Sequence, residues 1–186
     1  MKNIIVCLMC FLSFAVKAQI SSEETRIEVV SFNNERLSIL KPAGFILGYR
    51  QQTPNAFIVE LVPQGQSVHN WQKMITLTGN RSSGASIEGA LDFVGGKYKN
   101  ACPTTYSSKG LGFTPSSSAR GWVSCGNTGQ NSEQALIVMI QGEGAIYSVQ
   151  WAERGLKQEQ KMMLDEQKWM NKMIALKMNL SPQSSK

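Results

Sequence analysis

Ala56-Phe-Ile-Val-Glu-Leu-Val-Pro-Gln-Gly-Gln-Ser-Val-His-Asn-Trp-Gln-Lys-Met-Ile-Thr-Leu-Thr78 decides the fold. Phe57 to Val62 is rich in β-branched and aromatic residues, which favour a pleated, half-buried backbone, and Pro63 with Gly65 stops it; a strand running into a turn is the reading. Ser67 is placed to cap a single helical turn carrying Trp71. From Met74 the pattern alternates, with Ile75 and Leu77 on one face and Thr76 and Thr78 on the other, so a second half-buried strand follows. Trp71 then plugs the gap between the two strands.

Upstream, Ile27, Val29 and Val30 predict a strand, Asn33-Asn34 a turn, and Leu37, Ile39 and Leu40 a second strand ended by Pro42. Phe45 to Arg50 gives a third strand, and a meander in which successive strands are neighbours is the economical topology. Downstream, Ser86 stands where a helix cap belongs with Glu88 in the first turn, and Ile87, Ala90, Leu91, Val94 and Tyr98 form one apolar stripe at helical spacing. Gly95-Gly96 weakens the last turns, so fraying near Lys97 is expected.

Tyr106 to Thr128 reads as a loop-rich insert with a short strand at Gly121 to Ser124. Ala135 to Ile140 is an unbroken apolar run, so a strand at Glu133 to Gln141 has both faces covered, and Ala145 to Ala152 returns from the Gly142-Glu-Gly144 turn as its hairpin partner. This hairpin is expected at the sheet's centre. In Leu156 to Leu180, Met162, Trp169 and Leu176 recur every seven residues, with Met173 and Leu180 four further on from the last two, which predicts a long amphipathic helix. Ser181-Pro182 is expected to end it and to leave 181–186 as a disordered tail. The fold class is therefore α+β: a mostly antiparallel twisted sheet packed by a mid-chain helix and a long C-terminal helix, with 19–180 as a single domain.

Residues 1–18 read as a secretory signal, with Lys2, an apolar run from Ile4 to Val16 and a Val16-Lys-Ala18 cleavage site, so the mature chain is expected to start at Gln19. The run falls short of the roughly 20 apolar residues of a membrane span, and no transmembrane anchor is expected after cleavage. Cleavage removes Lys2, Lys17 and no acid, lowering the net charge of +6 by two. No Lys/Arg run and no aromatic-basic alternation occurs, which argues against nucleic acid. Of the four cysteines, Cys7 and Cys10 leave with the signal; Cys102 and Cys125 remain, and an oxidising compartment makes them a disulfide.

His69 is the one histidine. A catalytic triad would have to be built on it, yet no Gly-x-Ser-x-Gly elbow accompanies it, and a surface histidine is the plainer reading. One histidine and an oxidised cysteine pair supply too few ligands for zinc, so no metal site is expected there. Glu60 is the acid inside the opening strand, and a basic partner such as Arg50 or Arg81 is expected beside it. Met170 and Met173 share a helical face and offer soft thioethers for Cu(I), although methionine also fills helix–sheet interfaces. The Gly110-Leu-Gly112 and Gly142-Glu-Gly144 pairs continue into no phosphate loop, and Ser116 to Ser118 lacks a base, so no cofactor is implied.

Glu60, Pro63, Gly65, Trp71, Met74, Ile75 and Thr76 together resemble a motif of uncharacterised secreted bacterial proteins, an acidic-apolar-x-Pro-x-Gly segment followed by Trp-x-x-Met-(Ile/Val)-Thr. The likeness extends more loosely through Cys102-Pro103, Trp122 with Cys125, and Ile146 to Trp151, and it implies no particular activity. The order of elements is similar to that of the PsbP-like superfamily, a small sandwich with an antiparallel sheet, none of whose residue motifs is matched. The functional expectation is a non-catalytic periplasmic or secreted protein that binds another macromolecule, such as a component of an envelope or secretion assembly. The alternatives are a small exported hydrolase using carboxylates or His69, and a small-ligand or copper binder.

Overall fold

The computed structural model describes residues 27–81, 84–102, 107–113, 118–125, 132–155, 171–174 and 176–183. Ten strands and a helix are named in chain order: β1 Ile27–Phe32, β2 Glu35–Leu40, β3 Phe45–Gln52, β4 Ala56–Pro63, β5 Lys73–Arg81, α1 Ile87–Ala101, β6 Ser107–Phe113, β7 Ser118–Cys125, β8 Glu133–Gln141, β9 Ala145–Arg154 and β10 Asn179–Pro182. The strands make two sheets, β1-β2-β10 and β3-β4-β5-β9-β8-β7-β6. Every pairing between these strands is antiparallel. The fold is α+β, as the alternating apolar pattern requires.

The meander holds for β3-β4-β5 and is then interrupted. After β5 the chain enters α1, reaches the far edge of the large sheet at β6, and returns strand by strand until β9 pairs with β5. β9 is thus the middle strand, with β8 beside it, as the continuous apolar run of β8 predicts. The β1–β2 hairpin does not continue the large sheet. Its tight turn places both Asn33 and Asn34 in the left-handed region (φ 51° and 62°), which suits asparagine and matches strand twist. The hairpin folds over as a second layer: Val30, Phe32, Leu37 and Ile39 pack on Phe57, Val59, Leu61, Ile75, Leu77 and Val149. Phe32, Phe57 and Tyr147 meet across that interface with ring centroids 5.3–6.3 Å apart.

On the opposite face α1 packs over β7 and β8. Ser86 Oγ accepts a hydrogen bond from Gly89 N–H at 3.0 Å, the expected cap, and the helix runs through Gly95-Gly96 to Ala101 without fraying at Lys97. Gly121 lets it approach: a Cβ there would stand 2.9 Å from Leu91 Cδ1.

Three expectations are corrected. The region around Gly121 is a full edge hairpin, β6 and β7; a bulge between Gly110 and Gly112 breaks the two-residue period that marks a strand. The C-terminal helix does not reach Leu180. Of Leu156 to Leu180, residues 156–170 and 175 lie outside the described residues; Asn171–Ile174 is helical, Lys177 takes φ 45°, and Asn179 onward is β10, paired with β2. A left-handed residue ends a helix, and the seven-residue recurrence of Met173 and Leu180 arises from a helical turn followed by a strand that feed the same core. Finally, Ser181 and Pro182 belong to β10, and Gln183 N–H donates to the Asn34 carbonyl at 2.7 Å, so the tail expected from 181 onward begins with paired backbone. Residues 184–186 lie outside the described ones.

Candidate functional site

α1 covers β7 and β8, and among the described residues no helix packs on the same face of β3, β4, β5 and β9. Its two ends are closed differently. At one end the segment between β4 and β5 folds onto the sheet: Gly65 takes φ 83°, Gln66 N–H donates to the Pro63 carbonyl at 3.0 Å, and Gln72 N–H to Gln66 Oε1 at 2.7 Å. Ser67 and Asn70 pair backbone to backbone in a tight turn instead of starting a helical turn, because Ser67 both donates to and accepts from Asn70. Trp71 is buried, with Val62, Met74 and Ile87 in the same apolar cluster. Trp71 thus forms an apolar plug at this end.

Between this plug and the helix lies a polar strip. The register aligns Tyr49 with Glu60, Glu60 with Thr76, and Thr76 with Gln150, one continuous row across four strands. A second row runs Gln51, Ile58, Thr78, Ser148. Strands about 4.8 Å apart make each row roughly 15 Å long. Thr78 Oγ1 and Ser148 Oγ share a hydrogen bond of 2.6 Å, and Tyr49 O–H donates to Gln51 Oε1 at 2.6 Å, which fixes the two rows to each other. At the helix side Gln150 Nε2 donates to the Tyr98 hydroxyl at 2.6 Å, and that hydroxyl donates to Glu133 Oε1 at 2.8 Å. Burial, then the Glu133 charge and hydrogen bond, hold the Tyr98 phenol far above the ordinary tyrosine range, so it stays neutral. Arg154 Nε reaches Glu133 Oε2 at 3.1 Å and its guanidinium carbon lies 3.9 Å from the Trp71 ring centroid, joining the strip to the plug.

Five carboxylates among the described residues are buried or half-buried. Glu28 pairs with Lys41 and Arg50; Glu35 accepts from Tyr147 O–H and Glu143 N–H; Glu133 is held by Tyr98 and Arg154; Glu153 is held by Trp151 Nε1–H and Lys172. Glu60 is the exception: it is half-buried in the middle of the first row, and no side chain or backbone group of the described residues bonds to it. Burial raises its carboxyl above the ordinary value of 4.5, and nearby His69 offsets part of the rise. The basic partner expected for it is therefore corrected. Arg50 points to the opposite face and binds Glu28, and Arg81 stands at the far end of β5 opposite Ala145.

The other singled-out residues fall as follows. Cys102, at the end of α1, and Cys125, at the end of β7, have Cα atoms 5.5 Å apart with their sulfurs in contact, the separation a disulfide requires. Glu60 and Thr76, the two ends of the motif, are direct cross-strand neighbours. His69 is exposed on the segment above them. Met173 is buried in the core between the sheets with Leu176, a packing role; Met170 lies outside the described residues. Gly110 and Gly112 flank the β6 bulge, Gly142 to Gly144 turn β8 into β9, Ser118 opens β7, and Ser116 and Ser117 lie outside the described residues. Among the described residues no cluster of three metal-ligating side chains occurs, and no helix is long and apolar enough to cross a membrane. Tyr49, Gln150, Tyr98, Glu133 and Arg154 were not singled out by sequence reasoning. The one available signal was Glu60 and Thr76 on the polar side of two alternating strands.

No protein-family model matches the sequence, and no curated protein matches it. Among solved structures the chain is similar to the Ran-binding protein Mog1p of Saccharomyces cerevisiae, at TM-score 0.54 and 10% identity over 86% of this chain and 97% of that one. It is also aligned with LpqN, involved in cell envelope biogenesis of Mycobacterium tuberculosis (0.48, 14%, 84% and 91%), and with cyanobacterial PsbP of Synechocystis (0.46, 7%, 87% and 95%). At these identities the likeness is one of fold, and Mog1p alone of the three stands above a TM-score of 0.5.

Proposed function

We propose that this chain is an exported, non-catalytic protein of the periplasm or extracellular space that binds a macromolecular partner, an envelope or secretion-assembly component, through the polar strip of β3, β4, β5 and β9. The observation that carries the reading is Glu60: a half-buried carboxylate that burial disfavours, that His69 repays only in part and that no hydrogen bond of the described residues satisfies, set in the middle of a polar row. Groups kept in an unfavourable state are candidate functional groups. The two rows present hydroxyl, amide and phenol groups, several of them fixed by their own hydrogen bonds, around Glu60, which suits recognition of a polar partner surface. One protein of this fold, Mog1p, is described by its binding of Ran, which supports the view that the sandwich can present a protein-binding surface.

A photo-crosslinking residue in place of Thr76 or Gln51, in cells that express the full chain, is expected to capture a partner protein. The same residue in place of Ile174, exposed elsewhere, is expected to capture nothing. Crosslinks from Ile174 and none from the strip would sink the reading. Export is tested by mass spectrometry of the mature protein, expected to begin at Gln19.

A hydrolase reading rests on one observation, the nearness of His69 to a Glu60 whose carboxyl is raised. General acid–base groups contribute about 10²–10⁴-fold, so His69→Ala decides it: binding unchanged supports the proposal, and loss of a hydrolytic activity by that factor supports the alternative.

A further inference from the structure

The chain builds the same three-part cluster twice, on opposite faces of the large sheet. At one end of the strip Glu133 binds Arg154, whose guanidinium covers the Trp71 ring. Between the sheets Glu153 binds Lys172, whose ammonium lies 5.4 Å from the Trp151 ring centroid. In each, an acid and an aromatic ring flank a cation, which gains a charge-assisted hydrogen bond and the face of a π-system together.

Glu60 and Tyr49 are the acid and the ring of a third such cluster. They are direct cross-strand neighbours, so their Cβ atoms stand about 5 Å apart on one face. Tyr49 is 40% exposed, and its hydroxyl donates to Gln51 Oε1, two residues along β3. No lysine or arginine of the described residues binds Glu60; Arg50, on the neighbouring strand, is committed to Glu28, and the exposed His69 favours the Glu60 carboxylate only through space.

Resting on the reading that this strip is the binding face, we propose that the missing cation is supplied by the partner: an arginine side chain, on an extended basic segment of a partner protein, seats on Glu60 against the Tyr49 ring. A guanidinium fits better than an ammonium because its planar fork can bond a carboxylate through two N–H groups while stacking on the phenol. Charge complementarity commits the site to this occupant. In a chain with a net charge of +6, no lysine or arginine of the described residues pairs with this carboxylate, and His69 offsets the cost of its burial only in part. The flanking residues, Thr76 and Gln51, carry side-chain oxygens that accept further guanidinium or backbone N–H donors.

The test uses the full mature chain and two blocked peptides, acetyl-Thr-Val-Arg-Val-Thr-amide and the same peptide with citrulline for arginine, followed by amide chemical shifts. The arginine peptide is expected to shift Glu60, Thr76, Tyr49 and Gln150 in a saturable way. Affinity is expected to fall about tenfold or more with citrulline, with Glu60→Gln, or with Tyr49→Leu, since each removes one of the paired terms. Glu60→Gln keeps the side chain's size, and an unchanged spectrum elsewhere shows that the fold is intact. Equal shifts of the strip by both peptides would overturn the arginine assignment and leave the binding face standing. Shifts confined to other surfaces, or none at millimolar peptide, would overturn it as well, and the crosslinks from Thr76 and Gln51 would then judge the face by themselves.

Discussion

Tyr147→Phe removes one oxygen atom from the contact that joins the two sheets, and its cost can be worked out in advance. The hydroxyl sits 2.9 Å from the Phe32 carbonyl and 3.0 Å from Glu35 Oε2, and both Tyr147 and Glu35 are buried. The phenol is held far above the ordinary tyrosine range by burial and by its bond to Glu35, so it is a donor at neutral pH. Phenylalanine keeps the ring and its contacts with Phe32 and Phe57, and two buried acceptors lose the single O–H proton they share. A hydrogen bond to a carboxylate is worth about 1.5–3 kcal/mol. For a chain of this size each kcal/mol shifts the melting temperature by about 2–4 °C, so a fall of roughly 3–12 °C is expected. Urea unfolding followed by tryptophan fluorescence should show a lower midpoint at an unchanged slope, because the surface exposed on unfolding is the same. A double-mutant cycle with Glu35→Gln isolates the pair, and contacting residues couple by about 0.5–3 kcal/mol. A loss under about 0.5 kcal/mol for Tyr147→Phe, or strict additivity in the cycle, would refute the claim that this contact latches the hairpin to the large sheet.

Glu60→Gln is expected to stabilise the protein at pH 7. The carboxyl is raised in the folded state, so its contribution is favourable below the ordinary value of 4.5, is lost as pH rises through the folded value, and leaves a burial cost at neutrality that His69 offsets only in part. The variant's gain in melting temperature should therefore vanish as pH falls below about 4.5, the ordinary glutamate value; a variant less stable than the parent at pH 7 contradicts the burial argument. Cys102→Ser with Cys125→Ser opens a loop spanning a separation of 23 residues, worth about 3 kcal/mol in loop-closure entropy. Melting should fall by roughly 6–12 °C with far-ultraviolet circular dichroism nearly unchanged, and two free thiols in the denatured, unreduced mature protein would rule the bridge out.

Most strands were legible because their signal is local. Ile75 and Leu77 alternate with Thr76 and Thr78, and β8 is continuously apolar, so period and run length identify both. Asn33-Asn34 and the Ser86 cap were legible for the same reason, since each uses a residue type suited to one backbone geometry. The failures share a different cause. β6 hides behind a bulge and two glycines, and β10 hides because Leu180 continues a seven-residue spacing that a strand edge satisfies equally well. The separation of β1-β2 from the large sheet is written in no short window at all. It follows from β9 taking the place beside β5 and from the apolar inner face of β4, β5 and β9, which a second layer must cover.

The candidate site was half legible for the same physical reason. Glu60 and Thr76 stood out within the opening stretch, but their partners Tyr49 and Gln150 are 11 and 74 positions from them and meet them only through strand register. Register is set by which face must be buried, so the inward packing of Val59, Leu61, Ile75, Leu77 and Val149 is what aligns the outward row. The two faces of the sheet are therefore coupled: a shift of one residue in β4 that exposed Leu61 would also carry Glu60 off the strip. The core thus fixes the position of the carboxylate, and burial of the neighbouring strand faces makes it expensive to leave unpaired. A mutation that loosens the inner layer, such as Leu61→Ala, should then weaken arginine-peptide binding in step with its destabilisation. Tyr147→Phe, which weakens the inter-sheet latch without altering the β4–β5 register, should leave that binding unchanged.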